Sequence, residues 1–328
     1  MEFVVYLFAI LKNMIYGSTV FFTGELSASV DVLDVLALRY LMSLVVFWLL
    51  KLLRVIKIEV GIKDFFKKGE RTGALKNLLL TALFEPVLYM LFETLGVFST
   101  TTVTAAVILA LAPITSCICE MIFLGERNTL LQKIFLALGI AGVVFIAVNT
   151  NTSDGQNSVL GIIFLLLAVC TGSLFSVFSR RSSKSFSAME ITYISCALGA
   201  VVFNAANVIR HLVRGDILSY FNPYFDVDNL IGFVVLAILS TVVATAMNNF
   251  ALSHMQVSTM AAFGGLSTLT TIFIGVIFGG EELYYFHYIG LSLILARMIG
   301  VSVIAIRRDR QKARDELATA DNGCEKKE

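Results

Sequence analysis

The chain has 328 residues, 57% of them apolar and only 15% charged, with a mean hydropathy of +0.84. Soluble domains carry about 25% charged residues, so this balance excludes an ordinary soluble domain and points to a polytopic membrane protein. The 25 basic and 24 acidic residues leave a net charge of +1, which offers no global field for nucleic acid, and no nucleic-acid partner is expected.

A membrane helix needs about 20 consecutive apolar residues. In chain order, ten spans can be drawn at 3–23, 35–53, 75–96, 102–124, 130–148, 159–178, 188–210, 230–252, 257–278 and 285–306. No positive region precedes the first apolar run, so it is read as a helix and not as a cleaved signal peptide. Thr100–Asn149 is the clearest stretch, two spans joined by a tight polar break. Gly125 can end the first helix in the left-handed conformation, and Asn128 or Thr129 can cap the second. Gly280-Glu281 repeats Gly125-Glu126 at an offset of 155 residues, and the same offset carries Gly17-Ser18 onto Gly172-Ser173. The chain therefore reads as two copies of one five-span unit, 1–150 and 156–306, with a polar tail at 307–328.

Basic residues set the orientation. Arg54, Lys57, Lys63, Lys67, Lys68 and Arg71 follow the second span, and Arg127 follows the fourth with Lys133 just inside the next helix. Arg180, Arg181 and Lys184 follow the sixth, and Arg307, Arg308, Arg310, Lys312 and Arg314 follow the tenth. With ten spans all of these share one face, which the rule places in the cytoplasm with both termini. The opposite face holds Glu25, Asp31, Asp34, Asp154, Glu281 and Glu282, with Arg210 and Arg214 as the exception. Five spans per copy make the copies inverted. The expected fold is an all-α polytopic membrane protein with ten transmembrane helices as two inverted five-helix repeats.

The order of short motifs resembles a known family. Tyr16-Gly17-Ser18, Leu38-Arg39-Tyr40, Leu109-Ala110-Leu111-Ala112-Pro113-Ile114, Phe123-Leu124-Gly125-Glu126-Arg127, Leu131-Gln132 and Gly139-Ile140-Ala141-Gly142 occur in the first half. Val257-Ser258-Thr259, Gly280-Glu281 and Tyr288-Ile289-Gly290 occur in the second. Over nearly the whole chain this resembles the EamA family of the drug/metabolite transporter superfamily. The resemblance implies export or exchange of small metabolites. The second half departs from it, with Ser267-Thr268 where the first half has Pro113.

Ionisable groups at membrane depth are costly and call for a partner or a wet cavity. Glu85, Tyr89 and Glu93 recur at steps of four and share one helix face. Pro86 removes an amide donor beside Glu85, and Pro113 does the same in the fourth span, so both are read as helix breaks. Lys12 is placed to pair with Glu85 or Glu93, or to snorkel toward a headgroup. Asn13 and Tyr16 offer neutral hydrogen bonds, and the offset sets Asn248, with its neighbour Asn249, opposite Glu93. These eight side chains, Lys12, Asn13, Tyr16, Glu85, Tyr89, Glu93, Asn248 and Asn249, are the expected substrate pathway. Gly17-Ser18 and Gly172-Ser173 read better as helix packing. Glu120 has Arg127 or Lys133 within reach, Arg39 and Arg297 read as anchors or interhelical pairs, and Glu126 and Glu281 read as helix-start carboxylates. Five cysteines (Cys117, Cys119, Cys170, Cys196, Cys324) lack metal-ligand spacing and read as apolar filler. His211, His254 and His287 form no metal constellation. No cofactor or metal is expected.

The function expected is a secondary transporter, an exporter or exchanger of small polar or amphipathic metabolites such as amino acids, with proton coupling through Glu85. No nucleotide-binding G-x-x-x-x-G-K-[ST] motif occurs. The alternatives are a membrane-embedded enzyme or a channel. H-E-x-x-H, paired intramembrane aspartates and a Ser/His pair at depth are all missing, which counts against the enzyme. The expected location is a bacterial inner (plasma) membrane.

Overall fold

A chain in lipid must satisfy its backbone polar groups internally, which favours helices. Among the described residues every regular element is helical. The computed structural model describes residues 2–56, 58, 72–124, 130–149, 158–255, 257, 260, 263–280, 284–286, 288–293, 295–297, 299, 300, 303 and 304. Gly125 through Thr129, Asp154, Glu281, Glu282, His287, most basic residues between the second and third spans, and the 307–328 tail lie outside them, as does the side chain of Lys133.

The helices are α1 (Glu2–Leu26), α2 (Val32–Leu52), α3 (Thr72–Ala82), α4 (Tyr89–Val97), α5 (Thr102–Leu109), α6 (Ala112–Leu124), α7 (Leu130–Asn149), α8 (Val159–Ser182), α9 (Ala188–Arg214), α10 (Val227–Val234), α11 (Thr245–His254) and α12 (Gly264–Ile277). Tyr288–Arg297 forms a further short apolar helix, α13. Among the described residues seven helical stretches are long and apolar enough to cross a membrane: Phe3–Leu26, Val32–Leu52, Gly73–Val97, Thr104–Phe123, Val159–Ser182, Ala188–Arg214 and Val227–His254. They account for seven of the ten expected crossings. The expected spans at 130–148, 257–278 and 285–306 correspond to α7, α12 and α13.

Ser187 starts α9 with a capping box. Its hydroxyl accepts from the Glu190 amide at 3.3 Å, and the Glu190 carboxylate accepts from the Ser187 amide at 2.9 Å. The helix ends at Gly215, whose φ of +73° suits a residue without Cβ. It runs beyond the expected edge at 210 because its basic last turn finds partners. Arg210 and Arg214 both donate to Asp31, at 2.8 and 3.0 Å. Asp34 accepts from Arg210 at 2.5 Å, from His211 at 2.9 Å and from Asn207 at 2.9 Å. His211 also meets Asp216 at 2.9 Å. These carboxylates explain how two arginines sit on the acidic face.

Three backbone breaks shape the interior. α3 passes into α4 through a widened turn, Leu83–Leu88, where Glu85 leaves helical geometry (φ −141°, ψ 117°) and precedes Pro86. α10 passes into α11 through a second widened turn, Val235–Ala244. There the hydroxyls of Thr241 and Thr245 donate to the carbonyls of Leu236 and Ser240, each five residues back. The 155-residue offset carries the first turn into the second. The third break separates α5 from α6 at Ala110-Leu111, ahead of Pro113.

Contacts give the helix directions. α2 and α9 are antiparallel: Asp34 meets His211, the Ala37 carbonyl meets Asn204, and the Tyr40 carbonyl meets Cys196. α1 runs parallel to α12, from Tyr6–Phe263 through Thr271–Gly17. α6 runs parallel to α8, from Thr115–Ser173 to Phe123–Phe178. α1 and α5 run antiparallel, with Gly24 beside Thr102 and Val20 in one apolar cluster with Ala105 and Ile108. The α1–α12 and α8–α6 contacts are counterparts, each joining the first helix of one copy to the fourth of the other. Large apolar side chains such as Trp48, Ile122 and Phe273 stay exposed on the outside of the bundle, where lipid is the solvent.

Candidate functional site between the two copies

The breaks and the α1, α8 and α12 contacts leave a cavity of about 160 Å³ at the centre of the bundle. Lys12, Asn13 and Tyr16 reach it from α1, Glu85 from the first widened turn, Tyr89 and Glu93 from α4, and Asn248 from α11. Seven of the eight expected pathway side chains therefore share one wall. Asn249 points elsewhere. It is fully buried, accepts from the Ser179 hydroxyl at 2.7 Å and donates to the Thr192 hydroxyl at 2.9 Å. It ties α8, α9 and α11 together.

The cavity wall carries buried ionisable side chains. Lys12, Glu85 and Glu93 are 7%, 9% and 8% exposed. Among the described residues no carboxylate lies within 4 Å of the Lys12 ammonium, which sits 5.2 Å from the centroid of the Tyr16 ring. The expected pairing of Lys12 with Glu85 or Glu93 is thus replaced by a cation–π contact. Glu93 accepts from the Tyr89 hydroxyl at 2.8 Å. Asn13 donates to the Ala9 carbonyl at 2.6 Å, and the Tyr16 hydroxyl meets Thr245 of the second copy at 3.1 Å. Arg39 lies just behind the wall and is 2% exposed; it donates to Thr241 at 2.8 Å and to Ser240 at 2.9 Å. Two cations and two carboxylates thus surround one small space, and their formal charges cancel. Such a wall suits a cargo with polar or opposite-charged ends better than a bare ion of either sign.

Pro113 acts through Arg297. The Ile114 amide bonds to Leu111, three residues back, and not to Ala110. The released Ala110 carbonyl accepts from Arg297 Nη1 at 2.5 Å. Arg297 is 1% exposed, and its Nη2 has no hydrogen-bond partner among the described residues. A Cβ on Gly139 would lie 2.2 Å from Arg297 Cδ, so the glycine of the Gly139-Ile140-Ala141-Gly142 motif makes room for the guanidinium. Glu120 pairs with Arg180 at 3.2 Å.

Ser240, Thr268 and Thr271 also line the cavity, and the residue-by-residue reading missed them. A signal for Ser240 was present, because the repeat offset carries the Glu85, Tyr89, Glu93 stripe onto Ser240, Ala244 and Asn248.

Comparison with known proteins follows this geometry. The family model described as the EamA-like transporter family matches twice, over residues 3–148 and 159–303. The chain belongs to the EamA-like transporter family. Its two-copy architecture is that of the family, and membership makes it an integral, multi-pass membrane transporter and not an enzyme. This EamA-like transporter is 28% identical over 298 residues to "Uncharacterized transporter YcxC" of Bacillus subtilis (strain 168), covering 91% of this chain and 92% of that protein. A solved crystal structure shares its fold with a TM-score of 0.64 at 16% identity, covering 92% of this chain and 98% of the other.

Proposed function

We propose that this transporter is a secondary carrier of small polar or amphipathic metabolites, amino acids and related compounds first among them, working by alternating access in the export or exchange direction. Lys12, Asn13, Tyr16, Glu85, Tyr89, Glu93 and Asn248 form its cargo surface, Pro86 and Pro113 are its helix breaks, and Asn249 holds helices together. The observation that carries this reading is the buried pair Lys12 and Glu85, opposite in charge and facing one cavity, with no ion-pair partner for either among the described residues. A cargo with complementary ends would supply those partners, and Glu85 would carry the coupled proton when no cargo is bound.

The two copies are inverted. In support, α2 and α9 occupy matching places in the repeats yet run antiparallel. α8 is parallel to α6, which continues α5 beyond the Ala110-Leu111 break, and α1 is antiparallel to α5. Both termini are cytoplasmic, on the face of Arg54, Arg180 and Arg181. The membrane is a bacterial inner (plasma) membrane.

Purified protein in vesicles, offered a metabolite mixture, is expected to show saturable, pH-dependent uptake. Flux that never saturates would mean a channel. Glu85→Gln is expected to remove the pH dependence, and unchanged transport in that variant would discard proton coupling through Glu85.

A further inference from the structure

The two ends of the cavity are built differently. One turn beyond the wall residues Ser116 and Ser176, Glu120 of α6 and Arg180 of α8 pair at 3.2 Å. The same Glu120 oxygen accepts the backbone N–H of Val257 at 3.1 Å, and Val257 itself lines the cavity. Glu120 is only 1% exposed. One carboxylate of the first copy thus fastens two elements of the second across this end.

The other end is lined differently. One turn beyond the wall residues Val20 and Glu93, a wider recess of about 470 Å³ is lined by Gly24, Glu25, Val97, Thr101, Thr102 and Ser158, and Glu25 is exposed. The repeat makes the contrast sharp. The offset of 155 relates Glu120 to Gly275, Arg180 to Glu25 and Val257 to Thr102. Gly275 has no side chain to reach across, and Glu25 carries the wrong sign to replace Arg180. The fastening exists at one end and has no counterpart among the described residues at the other.

We infer that Glu120, with Arg180 and the Val257 amide, is the bolt that shuts the Arg180 end of the cavity, and that the conformation seen here opens toward the Glu25 end. This rests on the carrier reading, in which the Arg180 end is cytoplasmic. Glu120 touches no cargo and acts on which face the cavity meets. Its contacts belong to the bolted state, so removing them shifts the population toward the state open at the Arg180 end.

The test measures access without any cargo, so its outcome is separate from whether a given metabolite moves. Ser176→Cys is placed in a background whose five cysteines are replaced by alanine. A charged, membrane-impermeant methanethiosulfonate is applied to right-side-out and to inside-out vesicles. The starting protein is expected to label from the Glu25 side and to resist from the Arg180 side. Glu120→Ala and Arg180→Gln are each expected to raise labelling from the Arg180 side about tenfold, a shift that needs only about a decade in the two-state equilibrium. Glu120→Gln keeps an acceptor for the Val257 amide without the charge and should fall between. Labelling of Ser27→Cys from the Glu25 side, on the same backgrounds, reports that each variant is inserted the same way round, and near-ultraviolet circular dichroism reports that it is folded. Equal labelling of the starting protein from both sides would overturn the inference. So would an unchanged rate from the Arg180 side in both Glu120→Ala and Arg180→Gln while Ser27→Cys still reacts.

Discussion

Gly17 and Gly172 occupy matching places in the two copies, yet alanine should act differently at each. At Gly17 the added Cβ would lie 2.5 Å from the Ser267 carbonyl oxygen, 2.6 Å from Thr270 Cβ and 3.1 Å from the Thr271 amide. Two of these are backbone atoms that cannot rotate away. α1 and α12 must part, which puts the 2.8 Å bond from the Thr271 hydroxyl to the Gly17 carbonyl at risk. Overpacking costs about 1–3 kcal/mol and the lost bond about 1 kcal/mol, while alanine returns about 1 kcal/mol of helix propensity. The net expectation is a loss of about 2 kcal/mol. At Gly172 the new Cβ meets only the Tyr89 ring, at 2.9 and 3.1 Å. A ring edge can yield, so stability should change by less than about 1 kcal/mol. The yielding ring, however, belongs to the cavity wall and holds Glu93. Unfolding in detergent, followed by near-ultraviolet circular dichroism, is therefore expected to separate destabilised Gly17→Ala from near-normal Gly172→Ala, and uptake by vesicles should fall mainly in the latter. A Gly17→Ala protein as stable as the parent would refute the packing argument. Full uptake by Gly172→Ala would refute a role for the Tyr89 position.

Neighbouring asparagines should separate in the same way. Asn248→Ala is expected to weaken uptake with little change in unfolding, whereas Asn249→Ala strands the buried Ser179 hydroxyl and takes a donor from Thr192, which keeps its bond to the Ala188 carbonyl, and should cost about 2 kcal/mol in the same unfolding measurement. Asp34→Ala removes a buried acceptor of three side chains and should cost about 3–5 kcal/mol, whereas Asp31→Ala, with a side chain 56% exposed, should cost under about 1 kcal/mol. Arg297→Leu leaves the Ala110 carbonyl without its donor and is expected to lose about 1–3 kcal/mol; an unchanged melting profile would mean that water or a neighbouring group satisfies that carbonyl.

Much of the fold was legible because lipid imposes a strong constraint on sequence. Uninterrupted apolar runs over about 20 residues have few structural options. The Glu85, Tyr89, Glu93 stripe could be read because steps of four fall on one helix face whatever the helix packs against. What could not be read was partner choice. Lys12 was set against two carboxylates, yet its ammonium lies over Tyr16 on its own helix. Glu120 was matched to Arg127 and Lys133, whose side chains lie outside the described residues; the pair it makes with Arg180, in the other copy and 60 residues on, was not foreseen. Arg297 gave no hint of a partner because that partner is a carbonyl, and every residue has one. The neutralised arginines at the end of α9 were hidden likewise, since Asp31 and Asp34 lie more than 170 residues away in the chain.

The repeat bears on function through where it is broken as much as where it is kept. Both copies keep a widened turn at matching positions, but by different means. The first uses Pro86, which cannot donate; the second uses Thr241 and Thr245, whose hydroxyls occupy carbonyls five residues back. Equal openings in unlike sequences suggest that the opening itself is what both copies need. The side chains beside it are not equal. Glu85 answers to Ser240 and Glu93 to Asn248, so the first copy brings both cavity carboxylates and the second only neutral hydrogen-bonding groups. Arg39 then crosses to Ser240 and Thr241 and places its charge on the side where the second copy has none. Under the proposed alternating access, a symmetric backbone would give two matching ways to open, and the unequal charges would give each opening a different stability.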